Sequence, residues 1–324
     1  MKSRIIFTTG DSNGIGPEIL LKIFGLPVIK RNFIVKITGI YSVFKYYSEL
    51  LELPPVKQDD VIELRNFKNF KPEPGTIGKT SGKISGHSVR LAVELCLKKR
   101  FDAVVTMPVS KSALNKGGFK FNGHTEMISS QTGDKNYFML MNSGNLNIIP
   151  LTIHIPLGKV AKSISTGFIV KKTIQINKYF KETFGKEIPK IAILSLNPHC
   201  SEDGILGSEE SEKIIPALKI LQAGGIIIKG PFASDGFFAN KIYKDYDVIL
   251  ALYHDQAMIP FKILSYGKGV NLTGGIKIIR TSPSHGTGFD IAGKGKAKID
   301  STLAAVELAD FLIKTKKRNG NHKG

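Results

Sequence analysis

Residues 4–20, RIIFTTGDSNGIGPEIL, hold the unit that decides the fold. The apolar run at their start has the composition of a buried β-strand, and a helical stretch follows a glycine-rich turn. Pro17 stands in the first helical turn, where proline is tolerated because no N–H partner is lost. A strand that passes through a tight turn into a helix is the unit from which α/β proteins are built.

The same alternation continues along nearly the whole chain. Strand-like apolar runs recur at residues 32–40, 101–110, 189–200 and 224–232, and helical patterns cover residues 88–100 and 208–225. Continuous apolar strands between helices predict parallel strands with helices on both faces. We therefore predict an α/β fold, and 324 residues are enough for two domains.

The glycine-rich turn at residues 10–16 has two interpretations. Gly10, Gly14 and Gly16 lie between a strand and a helix, as in dinucleotide-binding folds, but the G-x-G-x-x-G spacing is not met. A tight turn in which glycine supplies positive φ is the simpler interpretation, and we favour it.

The formal net charge is +19, which raises nucleic acid, an anionic membrane or an acidic metabolite as a partner. Lysines are scattered along the chain, and only residues 314–324, KTKKRNGNHKG, form a dense basic run. No recognisable zinc finger, RNA-binding or helix-turn-helix pattern accompanies the charge, so we expect no nucleic-acid partner.

Cys96 and Cys200 are the only cysteines, which excludes a disulfide framework and favours a reducing compartment. The first residues contain too few apolar side chains for a secretory signal. No apolar run approaches the roughly 20 residues that a membrane-spanning helix needs. These features predict a cytoplasmic protein without a membrane partner.

His154, His199 and His254 each follow an apolar run that is predicted to be a strand. Ligands of open α/β sheets bind beyond the carboxyl ends of the strands, so the three imidazoles are candidates for one site. Imidazole is a common ligand of divalent metals, and three of them leave positions open for substrate oxygens. A single histidine in such a place is more often structural, so the metal hypothesis depends on all three. Asp235 and Asp255 are candidates to orient these ligands or join them, or else to cap a turn or helix.

Five further residues suit an anionic substrate. Lys262 and Arg280 supply cations within apolar or glycine-rich stretches, Asn271 and His124 supply hydrogen-bonding groups, and Thr125 supplies a hydroxyl. Such a set is typical of phosphate or carboxylate binding. Each residue taken alone is more typical of an ordinary solvated side chain.

Residues 284–298, SHGTGFDIAGKGKAK, interleave glycines with His285, Thr287 and Asp290. A carboxylate on such a loop can accept hydrogen bonds from both ribose hydroxyls of an adenosine and would repel a 2′-phosphate, which favours NAD over NADP. The alternative is a surface turn.

Eight strings, taken in order from about residue 5 to about residue 310, resemble the 4-hydroxythreonine-4-phosphate dehydrogenase family of pyridoxal phosphate biosynthesis. They are GDSNGIGPEI, TMPVSK, GHTE, LTIHIPL, LNPHCSEDGILGSEE, LYHDQAMIPFK, GVNLTGGIKIIRTSPSHGT and DIAGKGKA. Together and in this order they are highly specific, whereas any one of them alone would not be.

The resemblance implies NAD-dependent oxidation of 4-phosphooxy-L-threonine at its C3 hydroxyl, followed by decarboxylation to 3-amino-2-oxopropyl phosphate. It also implies a two-domain fold similar to that of isocitrate and isopropylmalate dehydrogenases, with an active-site cleft between the domains, in a homodimer. We expect residues 1–122 and 262–324 to form the cofactor-side domain. Residues 123–261 are then expected to form the metal-binding and dimerisation domain.

By the same resemblance, His154, His199 and His254 bind one divalent ion (zinc, magnesium or cobalt), with His254 supplied by the partner subunit at a subunit interface. The family's substrate-binding positions match His124, Thr125, Lys262, Asn271 and Arg280. His285, Thr287 and Asp290 match a cofactor loop, on which Asp290 occupies the position of an adenosine-binding aspartate. The general base is not assigned, and Asp235, Asp255 and Lys111 are the candidates.

The chain departs from the family pattern at several positions. Ser12 and Asn13 replace the usual Pro-Ala, NPHCSEDGILG replaces NPHAGEGGHFG, and Gly236 stands where the family usually has Thr. Asp235 and the three histidines are kept, so these departures bear on the substrate rather than on the metal ligands. Related enzymes act on D-threonate or D-erythronate 4-phosphate and are the alternative, and a basic binding protein without catalytic activity is a remote one.

Overall fold

The computed structural model describes residues 2–67, 70–121 and 123–321, so the last three residues of the basic tail lie outside the described residues. The strands are β1 (Ser3–Thr8), β2 (Phe33–Gly39), β3 (Val61–Glu63), β4 (Ala103–Val105), β5 (Phe138–Ser143), β6 (Leu146–Pro150), β7 (Ile191–Leu194), β8 (Ile228–Phe232), β9 (Val248–Ala251), β10 (Val270–Gly274) and β11 (Ile279–Pro283).

Twelve α-helices alternate with these strands in the described part of the chain. They are α1 (Gly16–Phe24), α2 (Pro27–Asn32), α3 (Tyr41–Leu51), α4 (Lys79–Leu97), α5 (Lys111–Lys116), α6 (His124–Thr132), α7 (Val160–Ser163), α8 (Thr166–Thr183), α9 (Ile215–Ala223), α10 (Ser234–Ala239), α11 (His254–Ser265) and α12 (Asp300–Asn321). Short helical turns lie at Gln58–Asp60, Arg65–Phe67, Leu157–Lys159, Pro198–Gly204, Glu210–Ile214 and Ile242–Asp245.

The chain forms two compact units. Unit 1 comprises residues 1–137 and 270–314, and unit 2 comprises residues 138–269 and 315–324. The domain boundaries expected from the sequence, at residues 122 and 262, stay a prediction.

In unit 1 the strands lie in the order β3-β2-β1-β4-β11-β10. All neighbours run parallel except β10 and β11, which form an antiparallel hairpin. Ile6 and Val104 of the sheet pack with Val89 and Val93 of α4 and with Ile128 of α6 in one buried cluster. This cluster fixes α4 and α6 against the sheet through apolar burial.

Helix α4 begins at Lys79, well before the helix predicted at residues 88–100. It includes Gly82 and Gly86, which are poor helix formers, so the sequence pattern concealed its first turns. A Cβ atom at residue 82 would lie 1.8 Å from the Ala113 carbonyl oxygen of α5. The glycine is therefore required by the close approach of the two helices.

In unit 2 the strands lie in the order β5-β6-β9-β7-β8. Strands β6, β9, β7 and β8 run parallel, whereas β5 and β6 form an antiparallel hairpin. Met141, Ile148, Leu194 and Ile249 pack with Phe261 of α11 in the core. The predicted α/β class is confirmed, and the two antiparallel hairpins were not predicted. No helix among the described residues combines the length and apolar character needed to cross a membrane.

Candidate active site

Three neighbouring strands of unit 2 are each followed by a histidine. Strand β6 ends at Pro150 before His154, β7 ends at Leu194 before His199, and β9 ends at Ala251 before His254. Because the three strands are parallel neighbours, their carboxyl ends lie at the same edge of the sheet. The chain thus delivers the three imidazoles to one edge of unit 2.

His154 and His254 lie near each other in the same chain, with ring centroids 6.1 Å apart and ring planes tilted by 39°. Asp255 Oδ1 lies 2.7 Å from His254 Nδ1, so this carboxylate orients the ring. The contact leaves Nε2 as the nitrogen available to a metal, which is how carboxylates support metal-binding histidines. The donor chemistry of this pair fits a divalent cation.

His199 lies on a turn with unusual backbone geometry. Residues 199–203 all have φ between 43° and 69°, although none of them is glycine. Left-handed backbone costs non-glycine residues about 1–2 kcal/mol each. Glycine is the usual family residue at positions 201 and 203, so here Ser201 and Asp203 must be held in place by other contacts.

Glu210 supplies such contacts for Ser201 and for Asn197 at the start of the turn. It is only 2% exposed, and its Oε1 accepts hydrogen bonds from the backbone N–H groups of Leu196 and Asn197, both at 2.8 Å. Its Oε2 accepts from Ser201 Oγ and, at 2.9 Å, from Asn197 Nδ2. Burial raises the pKa of Glu210, but hydrogen bonds from Asn197 and Ser201 bring it below its usual value. The carboxylate therefore stays ionised and holds the turn that carries His199.

Gln256 forms hydrogen bonds with the segments that directly follow β9 and β7. Its Oε1 accepts from the Leu252 N–H at 2.6 Å, and its Nε2 donates to the Ser195 carbonyl at 2.6 Å and to Ser234 Oγ at 2.7 Å. Sequence reasoning missed Gln256 and Glu210 as positioning residues. The available signal was their presence in the strings LYHDQ and GSEE, next to predicted ligands.

Within one chain, no three His, Cys, Asp or Glu side chains of the described residues lie close enough to hold one metal ion. His199 and His154 are exposed, and Asp235, the second residue of α10, is exposed as well. Cys200 Sγ donates to the Pro231 carbonyl at 3.4 Å. A three-histidine metal site stays a prediction, as does its completion by a second subunit.

In unit 1, Arg280 of β11 is 2% exposed and has no carboxylate partner among the described residues. Its Nε donates to Thr106 Oγ1 at 2.9 Å, and its NH1 donates to Thr273 Oγ1 at 3.1 Å. Burial lowers the pKa of Arg280 to about 9, so the guanidinium stays cationic at neutral pH. A buried cation without a counterion is costly unless an anion binds to it.

Two more polar groups gather near Arg280. Asn271 of β10 lies on the same face as Arg280, because residue 271 pairs with 282 in the hairpin and side chains alternate along each strand. Burial, and then the charge of Arg280, lower the pKa of His124 well below its usual value. Asn271 Oδ1 and His124 Nε2 are buried without hydrogen-bond partners among the described groups. Buried polar atoms without hydrogen-bond partners, close to a buried cation without a carboxylate, suit a polar anionic ligand.

The tautomer of His124 follows from its contacts. A hydrogen bond with the Met107 backbone raises the pKa, so the carbonyl accepts from a ring N–H. Because Nε2 has no partner, the donor is Nδ1, and Nε2 carries the lone pair of the neutral ring.

Three of the remaining predicted residues can be placed within their own units. Lys111, the first residue of α5, is exposed, and its Cε is 4.0 Å from the position that a Cβ at Gly123 would take. Lys262 lies in α11 of unit 2, where burial lowers its pKa. Thr125 is the second residue of α6, directly after His124.

The predicted cofactor loop lies between β11 and α12 and packs on the glycine-rich turn. The Ile15 N–H donates to the Thr287 carbonyl at 2.9 Å, and a Cβ at Gly14 would lie 2.8 Å from the same oxygen. Of the three glycines in the turn only Gly10 has a positive φ, whereas Gly14 is required by this close approach. Asp290 is exposed on the loop, and His285 Nδ1 lies 3.0 Å from the Gly286 carbonyl oxygen.

Asn13, one of the departures from the family pattern, holds a second loop in place. Its Oδ1 accepts from the Glu73 N–H at 2.9 Å, and its Nδ2 donates to the carbonyl and hydroxyl oxygens of Thr76 at 3.2 and 3.0 Å. Pro74 of that loop lies against Gly293, where an added Cβ would be 3.1 Å from Pro74 Cβ. Asn13 therefore supports the cofactor loop indirectly.

Known proteins share this sequence and fold over nearly their whole length. The profile of the family described as "Pyridoxal phosphate biosynthetic protein PdxA" matches residues 33–309. A 4-hydroxythreonine-4-phosphate dehydrogenase of Sulfurihydrogenibium sp. (strain YO3AOP1) is 42% identical over 97% of this chain and 99% of the relative. The enzyme of the same name from Aquifex aeolicus (strain VF5) is 39% identical over 97% and 99%.

Among solved structures, the crystal structure of 4-hydroxythreonine-4-phosphate dehydrogenase from Klebsiella pneumoniae superposes with a TM-score of 0.85 at 31% identity, over 97% of this chain and 98% of that one. The family resemblance seen in the sequence is confirmed. The chain belongs to the PdxA family of pyridoxal phosphate biosynthetic proteins, whose named relatives are oxidoreductases.

Proposed function

We propose that the chain is a 4-hydroxythreonine-4-phosphate dehydrogenase. It oxidises 4-phosphooxy-L-threonine at C3 with NAD and then releases CO₂ to leave 3-amino-2-oxopropyl phosphate. Family membership and the name carried by relatives that are 42% and 39% identical support this activity. The reaction transfers a hydride from C3 to the nicotinamide and a proton from the hydroxyl to a base. The bond between C1 and C2 then breaks, C1 leaves as CO₂, and the electron pair left as an enolate takes up a proton at C2.

The observation that carries the proposal is the buried, uncompensated charge of Arg280. A phosphorylated substrate supplies the missing anion, and its phosphate is carried on C4, next to C3, but takes no part in the chemical step. Binding energy gained at the phosphate can therefore orient the reacting carbon without changing its chemistry. Thr106 and Thr273 hold the guanidinium, so the positive charge is in place before the substrate arrives.

His124, Thr125, Asn271 and Lys262 are the other proposed substrate residues. Neutral His124 offers an acceptor at Nε2, which suits a substrate hydroxyl or ammonium group beside the phosphate. Asn271 Oδ1 is a second acceptor without a donor. Both atoms would gain a hydrogen bond on binding, which removes the cost of leaving them buried and unsatisfied.

His154, His199 and His254 would hold one divalent cation, with zinc, magnesium and cobalt as candidates. When bound, such an ion polarises the oxygen on C3 and draws electron density from the carbon that loses CO₂. Asp255 orients His254, and Glu210 holds the turn that carries His199. Because a single chain does not gather three such ligands among its described residues, we propose that a homodimer completes the site.

His285, Thr287 and Asp290 are the proposed NAD residues. Asp290 is exposed and able to accept hydrogen bonds from ribose hydroxyls. Of the three candidates for the general base, Asp255 is engaged with His254 and acts by orienting it. Asp235 and Lys111 remain the candidates that can reach solvent and exchange the proton.

A substrate panel tests this proposal. Purified enzyme with NAD⁺ and Zn²⁺, Mg²⁺ or Co²⁺ is expected to form NADH from 4-phosphooxy-L-threonine, faster than from D-threonate or D-erythronate 4-phosphate. His199→Ala is expected to abolish activity and to weaken metal binding measured directly by calorimetry. Turnover of a sugar-acid phosphate alone would overturn the substrate assignment, and wild-type turnover without metal would overturn the metal assignment.

A further inference from the structure

Unit 1 contains a cavity that none of the residues discussed so far line. Its volume is about 530 Å³, within the range of pockets that bind small molecules. His87 and Arg90 of α4 form one side, and Met127, Ser130 and Gln131 of α6 form another. The segment 117–121 after α5, including Phe119 and Phe121, closes it.

The walls of this cavity are aromatic and already in place. The His87 ring lies edge-on to Phe119, with centroids 5.3 Å apart and an interplanar angle of 87°. Phe67, which is outside the lining, also lies near the His87 ring, with centroids 5.6 Å apart and an interplanar angle of 45°. A Cβ at Gly86 would lie 2.2 Å from the Phe119 ring, so this ring rests directly on the backbone of α4. Such rings can contact a planar ligand without first being ordered, which lowers the entropic cost of binding.

Gln131, which lines the cavity, has a hydrogen-bond acceptor without a donor among the described residues. Gln131 Nε2 donates to the Arg90 carbonyl at 2.7 Å. This contact fixes the amide orientation, because a carbonyl oxygen cannot accept from Oε1. Gln131 Oε1 is then buried without a partner among the described groups. A ligand that carries an O–H or N–H group would satisfy it.

The charges that act on His87 at the cavity are positive, and they come from Arg90 and Lys83. Burial lowers the pKa of His87, and the charges of Arg90 and then Lys83 lower it further, so this ring is neutral at pH 7. Arg90 forms no ion pair with any described carboxylate. The guanidinium is therefore available to an anionic group at the cavity mouth.

We propose that this cavity binds a small planar aromatic anion that carries a ring hydroxyl or N–H group. The ring lies against His87 and Phe119, the anionic group pairs with Arg90, and the donor reaches Gln131 Oε1. The proposal is independent of the reaction assigned above, since none of these residues takes part in it.

Pyridoxine 5′-phosphate is a suitable probe, because it has a hydroxylated aromatic ring and a phosphate but no aldehyde that could react with lysine. The chain has no tryptophan, so the fluorescence anisotropy of the probe can be followed without tryptophan emission. Titrations are run in phosphate-free buffer on the wild type and on Arg280→Met, which lacks the cation of the proposed substrate site, so that binding at Arg280 is distinguished from binding at Arg90. Saturable binding to the wild type is expected, and its absence would overturn the proposal.

Arg90→Met is expected to weaken probe binding about tenfold or more, the loss typical of one charge-assisted hydrogen bond. Ser130→Tyr, which places a ring in the cavity, is expected to abolish binding. Arg100→Met is the matched control, because Arg100 is an exposed arginine that does not line the cavity. Both Arg variants are expected to keep the wild-type melting temperature and dehydrogenase activity. Equal probe affinity in the two Arg variants, or undiminished binding by Ser130→Tyr, would overturn the assignment.

Discussion

Replacing Arg280 by methionine should keep or raise the stability of the ligand-free protein but lower its affinity for phosphate. Burial lowers the pKa of the guanidinium from its usual value to about 9. At about 1.4 kcal/mol per pKa unit, this corresponds to a cost of about 5 kcal/mol for keeping the charge buried without an anion. Methionine fills most of the same volume without that charge. It loses the hydrogen bonds to Thr106 and Thr273, which are worth about 1 kcal/mol each.

We therefore expect the ligand-free Arg280→Met protein to be at least as stable as the wild type, in contrast to most core substitutions. Phosphate binding should behave in the opposite way. Loss of a buried, charge-assisted contact should cost about 3 kcal/mol, or roughly a hundredfold in affinity. Urea unfolding with and without inorganic phosphate measures both effects in one experiment.

Arg4→Met is the informative control, because Arg4 is an arginine that does have a partner. Its NH2 lies 2.7 Å from Asp102 Oδ1, and its side chain is 40% exposed. Removal of Arg4 should lower the free energy of unfolding by about 1 kcal/mol and leave phosphate affinity unchanged. If Arg280→Met unfolded more easily than Arg4→Met, the buried charge would not be costly. If it bound phosphate like the wild type, Arg280 would not be the phosphate site.

Four other expectations can be checked on the same protein. Burial holds the pKa of His124 below its usual value, while the unfolded form takes up a proton near pH 6.5, so stability should fall more steeply between pH 7 and 5 in the wild type than in His124→Gln, measured by urea unfolding. Equal slopes would contradict a lowered pKa. Glu210→Gln should weaken metal binding about tenfold or more by calorimetry, because it loosens the turn that carries His199, whereas the exposed Glu212→Gln should not. Equal metal affinity in the two variants would count against Glu210 as a positioning residue. Asp290→Arg should raise the Michaelis constant for NAD, and an unchanged constant would argue against ribose contact. Asn13→Ala, although it restores the usual family residue, should lower the free energy of unfolding by about 2 kcal/mol through three lost hydrogen bonds, and a neutral result would mean that they contribute little.

The regular parts of the fold could be predicted because they depend on local patterns. Strand β1, its turn and α1 were readable from apolar runs, glycine and Pro17, and the histidines were found because they follow such runs. The turn between β5 and β6 has the sequence NSGN, and asparagine and glycine together are typical of hairpin turns. Gly144 indeed has a φ of 58°, but no hairpin was predicted there. The first turns of α4 were hidden, because its glycines are explained only by the approach of α5.

The supporting network of the candidate site could not be predicted for a different reason. Gln256 contacts Ser195, which is 61 residues away in sequence, and Glu210 holds a left-handed turn in which no residue is glycine. Arg280 was predicted to bind an anionic substrate, but the sequence does not show that its charge is buried without a carboxylate partner among the described residues. Contacts between distant segments decide such roles, and one sequence shows no record of them.

The proposed activity is the oxidation of 4-phosphooxy-L-threonine followed by its decarboxylation. Its most direct test is to measure NADH and CO₂ together, from this substrate with NAD⁺ and a divalent metal. We expect the two to be formed in equal amounts and Arg280→Met to reduce both alike. NADH without CO₂, or neither from this substrate while D-erythronate 4-phosphate is oxidised, would contradict the proposed activity.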